Sequence, residues 1–205
     1  MAEPRQATAG DNGPIEQAIG TAVRKEYFHP VWVGGQRIDL SHLDPFSMTL
    51  HSERLNKALR IAVTFSTHCF SEAYGKIPHP SGDSVIDEDT KQPRTYCPIR
   101  YGLSKALPDV IRAMADKTIT LTAFKRNWVH TITVESPAGP YHVFVEIHRA
   151  GPDKRTWQDL ELVVESAYHQ TGKPPSVTGS PRPFMVVCAE VYAPPPTKPR
   201  KKRRH

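Results

Sequence analysis

Hydrophobic and polar positions along the chain follow two different periods, and the helical period is the rarer one. The first helical stripe has apolar residues at three- and four-residue spacing: Ile15, Ala18, Ile19, Ala22 and Val23. It predicts an N-terminal helix that begins at Gly13. A second stripe over residues 103–114 predicts one central amphipathic helix, with Ser104 as its N-cap and Pro108 in its first turn.

The two-residue period covers most of the remaining chain and predicts strands. Gly34 and Gly35 stand between two short apolar runs and predict a tight hairpin near the front. The other candidate strands are 46–50, 60–69, 118–124, 127–135, 141–149, 159–168 and 184–192. Because their connections are short, antiparallel pairing is favoured. We therefore expect an α+β fold, with the N-terminal helix and hairpin and the central helix packed on an antiparallel meander sheet of about five strands.

The pattern also predicts how the chain is divided. Residues 1–12 and 193–205 have no apolar period, so we expect both ends to be disordered. Residues 13–192 are expected to form a single α+β domain. Within it, residues 75–98 contain four prolines and no periodicity, which is typical of a long functional loop or of a disordered one.

Net charge is unevenly distributed along the sequence. The formal net charge is +6, from 27 basic and 21 acidic residues. Six cations lie in the C-terminal tail, which contains no acid: Lys198, Arg200, Lys201, Lys202, Arg203 and Arg204. Without them, 21 basic residues balance 21 acidic ones, so the whole excess belongs to the tail. The tail therefore either binds nucleic acid, with RNA the preferred partner, or serves only to keep the chain soluble.

Composition narrows the setting in which the protein works. The sequence has no apolar run of the roughly 18 residues that a membrane span needs, so we expect no membrane partner. It has no secretory signal, and its three cysteines are too widely spaced for a disulfide framework. Reduced thiols in the cytoplasm are the expectation, and a protein partner stays open.

One predicted hairpin brings chemically useful side chains together. If residues 137–139 form a three-residue loop, His130 lies opposite Glu146 and Trp128 lies opposite His148. All four side chains would then share one face, with opposed residues about 5 Å apart. Such a histidine–glutamate pair is a candidate acid–base centre.

This centre could cleave RNA without a metal ion or a cofactor. Glu146 would take the proton of the ribose 2′-hydroxyl, and His130 or His148 would protonate the leaving 5′-oxygen. A cation would stabilise the charge on the phosphoryl oxygens, and aromatic rings would stack on bases. The residues expected to bind substrate are Trp128, Arg100, Arg112, Ser166 and Tyr168.

Other interpretations of the same residues stay open. The histidine and glutamate side chains could simply form a structural cross-strand pair. A metal-dependent enzyme could use the acidic group of residues 83–89, or a face with Asp159, Glu161, Glu165 and His169. A third alternative is a non-catalytic interaction module whose basic tail binds nucleic acid.

Two stretches carry a resemblance to known proteins. PVWVGGQRIDLSHLDPF near the front and GPYHVFVEIHR with WQDLELVVESAY near the back resemble bacterial proteins of integrative and conjugative elements, labelled stationary-phase growth adaptation proteins. This resemblance implies an accessory role in a mobile element or a stress response, and it assigns no site residues. In layout alone, the helix followed by a meander is similar to the barnase, EndoU and RelE-like nucleases, which implies a ribonuclease.

Overall fold

A computed structural model describes residues 26–74, 86, 93–123, 128–133, 140–169 and 173–193. The predicted helix after Gly13, most of the loop 75–98 and the tail from residue 194 lie outside the described residues. The described chain is α+β, as expected, and its elements alternate between strands and short helices.

Eleven strands are present in the described part of the chain. The N-terminal strands are β1 (Val31–Val33), β2 (Gln36–Ile38), β3 (Phe46–Ser52), β4 (Lys57–Phe65), β5 (Ser71–Ala73) and β6 (Arg94–Tyr96). The later strands are β7 (Thr118–Thr122), β8 (Trp128–Thr133), β9 (Pro140–Arg149), β10 (Leu160–His169) and β11 (Val177–Pro183). Strand β6 lies inside the interval 75–98, which was expected to be a loop. These residues form a strand because they pair with β5.

The front hairpin forms where the glycine pair predicts it. Strands β1 and β2 pair antiparallel, with Val33 opposite Gln36. Gly34 and Gly35 have φ angles of 54° and 76°, the left-handed region that a tight hairpin turn requires at both central positions. Glycine adopts these angles without the steric cost that a side chain adds.

The main sheet is larger than the expected meander and is mixed. Its seven strands follow the order β11-β7-β8-β9-β10-β4-β3. Strands β4 and β10 pair parallel, with Val63 beside Leu162, whereas the other neighbours are antiparallel. The β3–β4 hairpin therefore joins the edge of the later strands instead of standing apart from them.

The expected central helix is two short helices. Helix α1 (Pro98–Ser104) ends where the prediction placed the start, and α2 (Leu107–Arg112) follows it. Ser104 is not an N-cap, because its hydroxyl donates to the carbonyl of Tyr101 in the preceding turn. Pro108 does lie in the first turn of α2, where its missing N–H costs nothing.

The expected last strand, 184–192, is instead helix α3 (Phe184–Tyr192). Its buried residues include Phe184, Val187 and Cys188, which follow the three- and four-residue spacing of a helix. In a strand, Phe184 and Cys188 would share a face with Val186 rather than with Val187. The strand prediction was wrong because β-branched composition outweighed periodicity.

Helices α2 and α3 pack against one face of the sheet, which we call the helix-covered face. Strand residues on this face include Val63, Leu162 and Ile147, which are neighbours across β4, β10 and β9. Leu107 of α2 and Phe184 of α3 are fully buried in the same core cluster. The opposite side, which we call the Glu146 face, is where the polar side chains of β9 and β10 project.

Candidate active site

The register between β8 and β9 differs from the expected one. Thr133 pairs with Pro140, and His130 lies opposite Val143 instead of Glu146. The observed pairing is therefore offset by three residues from the predicted one. Because side chains alternate faces, a shift by an odd number of residues moves Trp128 and His130 to the other face.

This shift separates His130 from the other two predicted catalytic residues. His130 and Trp128 lie on the helix-covered side of β8, whereas Glu146 and His148 lie on the Glu146 face. Nδ1 of His130 donates to the carbonyl of Thr118 at 3.0 Å. The three-residue centre of His130, Glu146 and His148 is therefore wrong as a cluster.

Glu146 and His148 do meet, as their spacing of two residues requires. Nε2 of His148 donates to Oε2 of Glu146 at 3.0 Å. The Glu146 side chain is 12% exposed and that of His148 is 54% exposed. Because Nε2 faces the carboxylate, Nδ1 is the nitrogen of His148 that can exchange a proton with a bound molecule.

A β-bulge places Ser166 and Tyr168 on the Glu146 face. The pairing of β10 with β9 shifts between Val164 and Ser166, so that Ser166 lies opposite Phe144. Without this extra residue, Ser166 and Tyr168 would follow Val164 onto the helix-covered face. The bulge is therefore the reason that Ser166 and Tyr168, two residues expected to bind substrate, share a face with Glu146.

An aromatic stack forms at the far end of this face. The rings of Phe144 and Tyr168 are stacked with centroids 5.2 Å apart, and the guanidinium carbon of Arg100 lies 5.4 Å from the Tyr168 centroid. Burial raises the pKa of the Tyr168 phenol, so the phenol stays neutral at neutral pH. We call these three side chains the Arg100 stack.

The Arg100 stack is too far along the sheet to act on the same bond as His148. Tyr168 pairs with His142, six residues before His148 on β9. At about 3.3 Å per residue, the separation is about 20 Å. Arg100 therefore does not hold a phosphate at His148, and its expected role there is wrong.

Two other predicted substrate-binding residues lie on the helix-covered side. The guanidinium carbon of Arg112 lies 4.3 Å from the ring centroid of Phe46, whose strand neighbour is Val63. Trp128 lies opposite Val145 and is approached by the guanidinium of Arg182 at 5.9 Å. Neither side chain faces Glu146, because Arg112 belongs to α2 on the helix-covered face and the register of β8 turns Trp128 to the same side.

Lys154, which the sequence did not single out, is linked to His148 through Glu161. His148 lies opposite Glu161 across β9 and β10. Glu161 accepts from Nζ of Lys154 at 2.7 Å and from the side chain of Gln158 at 3.0 Å. Lys154 is invisible to a strand pattern because it lies in the turn that joins the two strands.

The residues that could hold a metal ion do not converge where the structure describes them. No group of three or more histidine, cysteine, aspartate or glutamate side chains is present there. His169 lies opposite Tyr141 on the helix-covered side, and Asp159 is bound by Arg60. The acidic residues 83, 87, 88 and 89 lie outside the described part.

A histidine–hydroxyl pair elsewhere in the fold, His42 with Ser104, is structural. Nε2 of His42 lies 2.8 Å from Oγ of Ser104, which is fully buried. The Ser104 hydroxyl donates to the Tyr101 carbonyl, so it accepts from His42 and has no proton left to give to it. Burial lowers the pKa of His42, which fits a neutral imidazole in this position.

The protein belongs to the α+β class. It has a mixed seven-stranded sheet with helices α2 and α3 on one face and the Glu146–His148 pair on the other. A family model described as the YjaZ family matches residues 30–192. The chain belongs to the YjaZ family. Comparisons with curated proteins and with solved structures found no match. In the described residues, no helix is long and apolar enough to cross a membrane.

Proposed function

We propose that the protein binds RNA and cleaves it without a metal ion, with His148 as the general base. The observation that carries the proposal is the exposed imidazole of His148, held at 3.0 Å by the mostly buried carboxylate of Glu146. An oriented histidine with a free ring nitrogen suits proton transfer near neutral pH. Glu146 acts here as a positioning residue rather than as the base.

The reaction proceeds by attack of the ribose 2′-oxygen on the neighbouring phosphorus. Nδ1 of His148 takes the 2′-hydroxyl proton as the oxygen–phosphorus bond forms. The bond from phosphorus to the 5′-oxygen breaks, and water protonates the leaving oxygen. The ammonium of Lys154, beside Glu161, stabilises the charge that develops on the phosphoryl oxygens. The products are a 2′,3′-cyclic phosphate and a 5′-hydroxyl.

The test is cleavage of end-labelled single-stranded RNA in excess chelator. Replacing His148 with alanine should lower the rate by about 10² to 10⁴-fold, the usual contribution of a general base. Glu146→Gln should lower the rate less, because the imidazole stays but loses its charged partner. DNA of the same sequence should not be cut, since it lacks the 2′-hydroxyl.

The matched control is His51→Ala. His51 is also an exposed histidine beside a carboxylate, with Nε2 3.6 Å from Glu53, but it lies on β3 at the edge of the sheet. Its replacement should leave cleavage unchanged. Equal cleavage by the wild-type protein and by His148→Ala, or none by either, would refute the proposed activity.

A second candidate function is nucleic-acid binding without catalysis, in an accessory role. The distribution of charge favours it, because the six tail cations account for the whole net charge of +6. Binding would then weaken steeply with salt and be lost on deletion of residues 193–205. Salt-dependent binding without cleavage would select this candidate, whereas binding that survives the deletion would exclude it.

A further inference from the structure

The loop between β9 and β10 exposes a large aromatic side chain that packing does not explain. Trp157 is 61% exposed, the largest exposed fraction among the big hydrophobic side chains that the structure describes. Its backbone N–H donates to the carbonyl of Lys154, which fixes its place in the turn. Within the described residues, its indole has no ring neighbour and no hydrogen-bond partner.

The loop around Trp157 is held in a fixed shape. The guanidinium of Arg60 donates to the carbonyls of Thr156, at 2.6 Å, and Arg155, at 3.1 Å. Asp159 closes the loop, because it accepts from the backbone and the side chain of the same Arg60. Trp157 is therefore presented to solvent from a braced turn.

Two arginines at this end of the sheet, one in the loop and one at the end of β9, have no acidic partner in the described structure. Arg155 donates from Nε to the carbonyl of Ala150. Arg149, the neighbour of Ala150, lies with its guanidinium carbon 5.2 Å from the Tyr192 ring centroid. Both side chains are exposed, so they are available to an anion.

Arg149 contacts the C-terminal end of α3. The ring of Tyr192 lies between Arg149 and Lys57, whose Nζ is 5.3 Å from the ring centroid. The six tail cations follow Tyr192 in the sequence.

We propose that Trp157, Arg149 and Arg155 form a binding surface for single-stranded nucleic acid, on which a base stacks on the indole and the arginines bind phosphates. Proteins that bind single strands combine these two features, an aromatic ring for the bases and a cationic track for the backbone. A duplex fits poorly because its bases are already stacked. The inference takes its partner class from the proposed function and adds where the strand binds.

The position of the loop connects this surface with the candidate active site. Lys154 belongs to the loop and contacts Glu161, the cross-strand neighbour of His148. A strand stacked on Trp157 would continue across Lys154 to His148. The surface therefore delivers RNA to the Glu146 face from the end of β9.

The test measures binding of fluorescein-labelled oligothymidylate by anisotropy over a series of salt concentrations. This probe lacks the 2′-hydroxyl, so binding is measured independently of cleavage. Trp157→Ala should weaken binding roughly tenfold with an unchanged salt dependence, because stacking releases no counterions. Trp157→Phe should retain most of the affinity, because the ring is kept.

A further variant separates the cations from the ring. Replacing Arg149 and Arg155 together with glutamine should lower the slope of log affinity against log salt by about 1.4, or about 0.7 for each cation. An unchanged slope in this variant would refute the cationic half of the surface.

The matched control is Trp32→Ala. Trp32 is 46% exposed but lies on β1, in the two-stranded sheet of the front hairpin. Its loss should leave binding unchanged. Wild-type affinity in Trp157→Ala, equal weakening by Trp32→Ala, or equal affinity for duplex DNA would each overturn the inference.

The outcomes also separate this surface from the proposed activity. Binding that depends on Trp157, with no RNA cleavage by the wild-type protein, would keep the surface and reject the catalytic role of His148. Cleavage that depends on His148, with oligothymidylate binding indifferent to Trp157, would do the reverse.

Discussion

Asp159 is the residue that ties the loop between β9 and β10 to strand β4. It accepts from the backbone N–H of Arg60 at 2.9 Å, from Nε of Arg60 at 3.0 Å, and it lies 3.2 Å from Nζ of Lys57. Burial raises the pKa of Asp159, but these donors outweigh burial and bring the pKa down to about 2. The folded state therefore prefers the charged carboxylate.

We predict that Asp159→Asn destabilises the protein by about 3 kcal/mol, because the buried carboxylate loses its charge-assisted hydrogen bonds from Arg60 and Lys57. The free energy of unfolding in urea measures the effect. Asp116→Asn is the control, since Asp116 is exposed beside Lys117 and should change stability by less than about 0.5 kcal/mol. Equal, small effects of the two substitutions would contradict the prediction.

The same aspartate gives a signed pH dependence. Its folded-state pKa lies below the ordinary value of 3.8, so its contribution is complete above that value and is lost as the pH falls towards 2. The stability difference between the wild type and Asp159→Asn should therefore shrink over this acidic range. A difference that stays constant down to about pH 2 would contradict the assignment.

At the residue scale, the sequence correctly predicted those contacts that depend only on the alternation of side chains along a strand. Glu146 and His148 are two residues apart on a strand, so their contact follows from alternation. The place of His130 depended on register, and β9 is buried on both faces, so its apolar pattern does not fix the register. Trp157 lies in a turn, where no periodicity distinguishes an exposed ring from a packed one.

Among the elements, α3 is where composition and period disagree. Val186, Val187 and Val191 favour a strand by composition, whereas the buried positions follow a helix. Val187 is 2% exposed and belongs to the core cluster, and Val186 is half-buried. The two interpretations therefore assign the core position to different valines.

We predict that Val187→Ser costs about 2 to 3 kcal/mol, because it removes buried methyl groups and buries a hydroxyl. Val186→Ser should cost less than about 1 kcal/mol, since its side chain is partly solvated in a helix. Thermal or urea unfolding of the two variants decides between the interpretations. The reverse order of effects would restore a strand at 184–192.

Two further features of the elements could not be read from the pattern. The stripe 103–114 is continuous in sequence, yet the chain between α1 and α2 breaks at Lys105 and Ala106, just before Pro108. The bulge between Val164 and Ser166 could not be predicted either, because one extra residue in a strand does not change its composition. Both features decide which side chains face the site.

At the scale of the whole molecule, all three cysteines are shielded from solvent. Cys69, Cys97 and Cys188 are free and buried. Burial raises the pKa of the Cys69 and Cys188 thiols to about 12. A thiol attacks only as the thiolate, so these two side chains are protected by both access and charge.

We predict that the native protein reacts slowly with a thiol reagent at pH 8 and that all 3 cysteines react after unfolding in urea. The number of thiols labelled over time measures this directly. A Cys188→Ala variant identifies the contribution of α3. Fast labelling of Cys69 or Cys188 in the folded protein would contradict their buried placement.

The order of the strands in the main sheet could not be predicted from the sequence. Local alternation predicts every strand of this sheet except β11, but a parallel neighbour such as β4 beside β10 depends on packing between distant segments. Six of the seven strands of this sheet begin within three residues of their predicted starts, namely β3, β4 and β7 to β10. The class was therefore accessible from the pattern, and the topology was not.

The pairing of β4 with β10 has a consequence for how the chain matures during synthesis. Arg60 and its partner Asp159 are separated by 99 residues, so one side of the early hairpin stays uncovered until most of the polypeptide has been made. An uncovered strand edge is a template for association between nascent chains. Ribosome-bound fragments that stop before Leu160 should therefore depend on chaperones, and release of the complete chain should end that dependence.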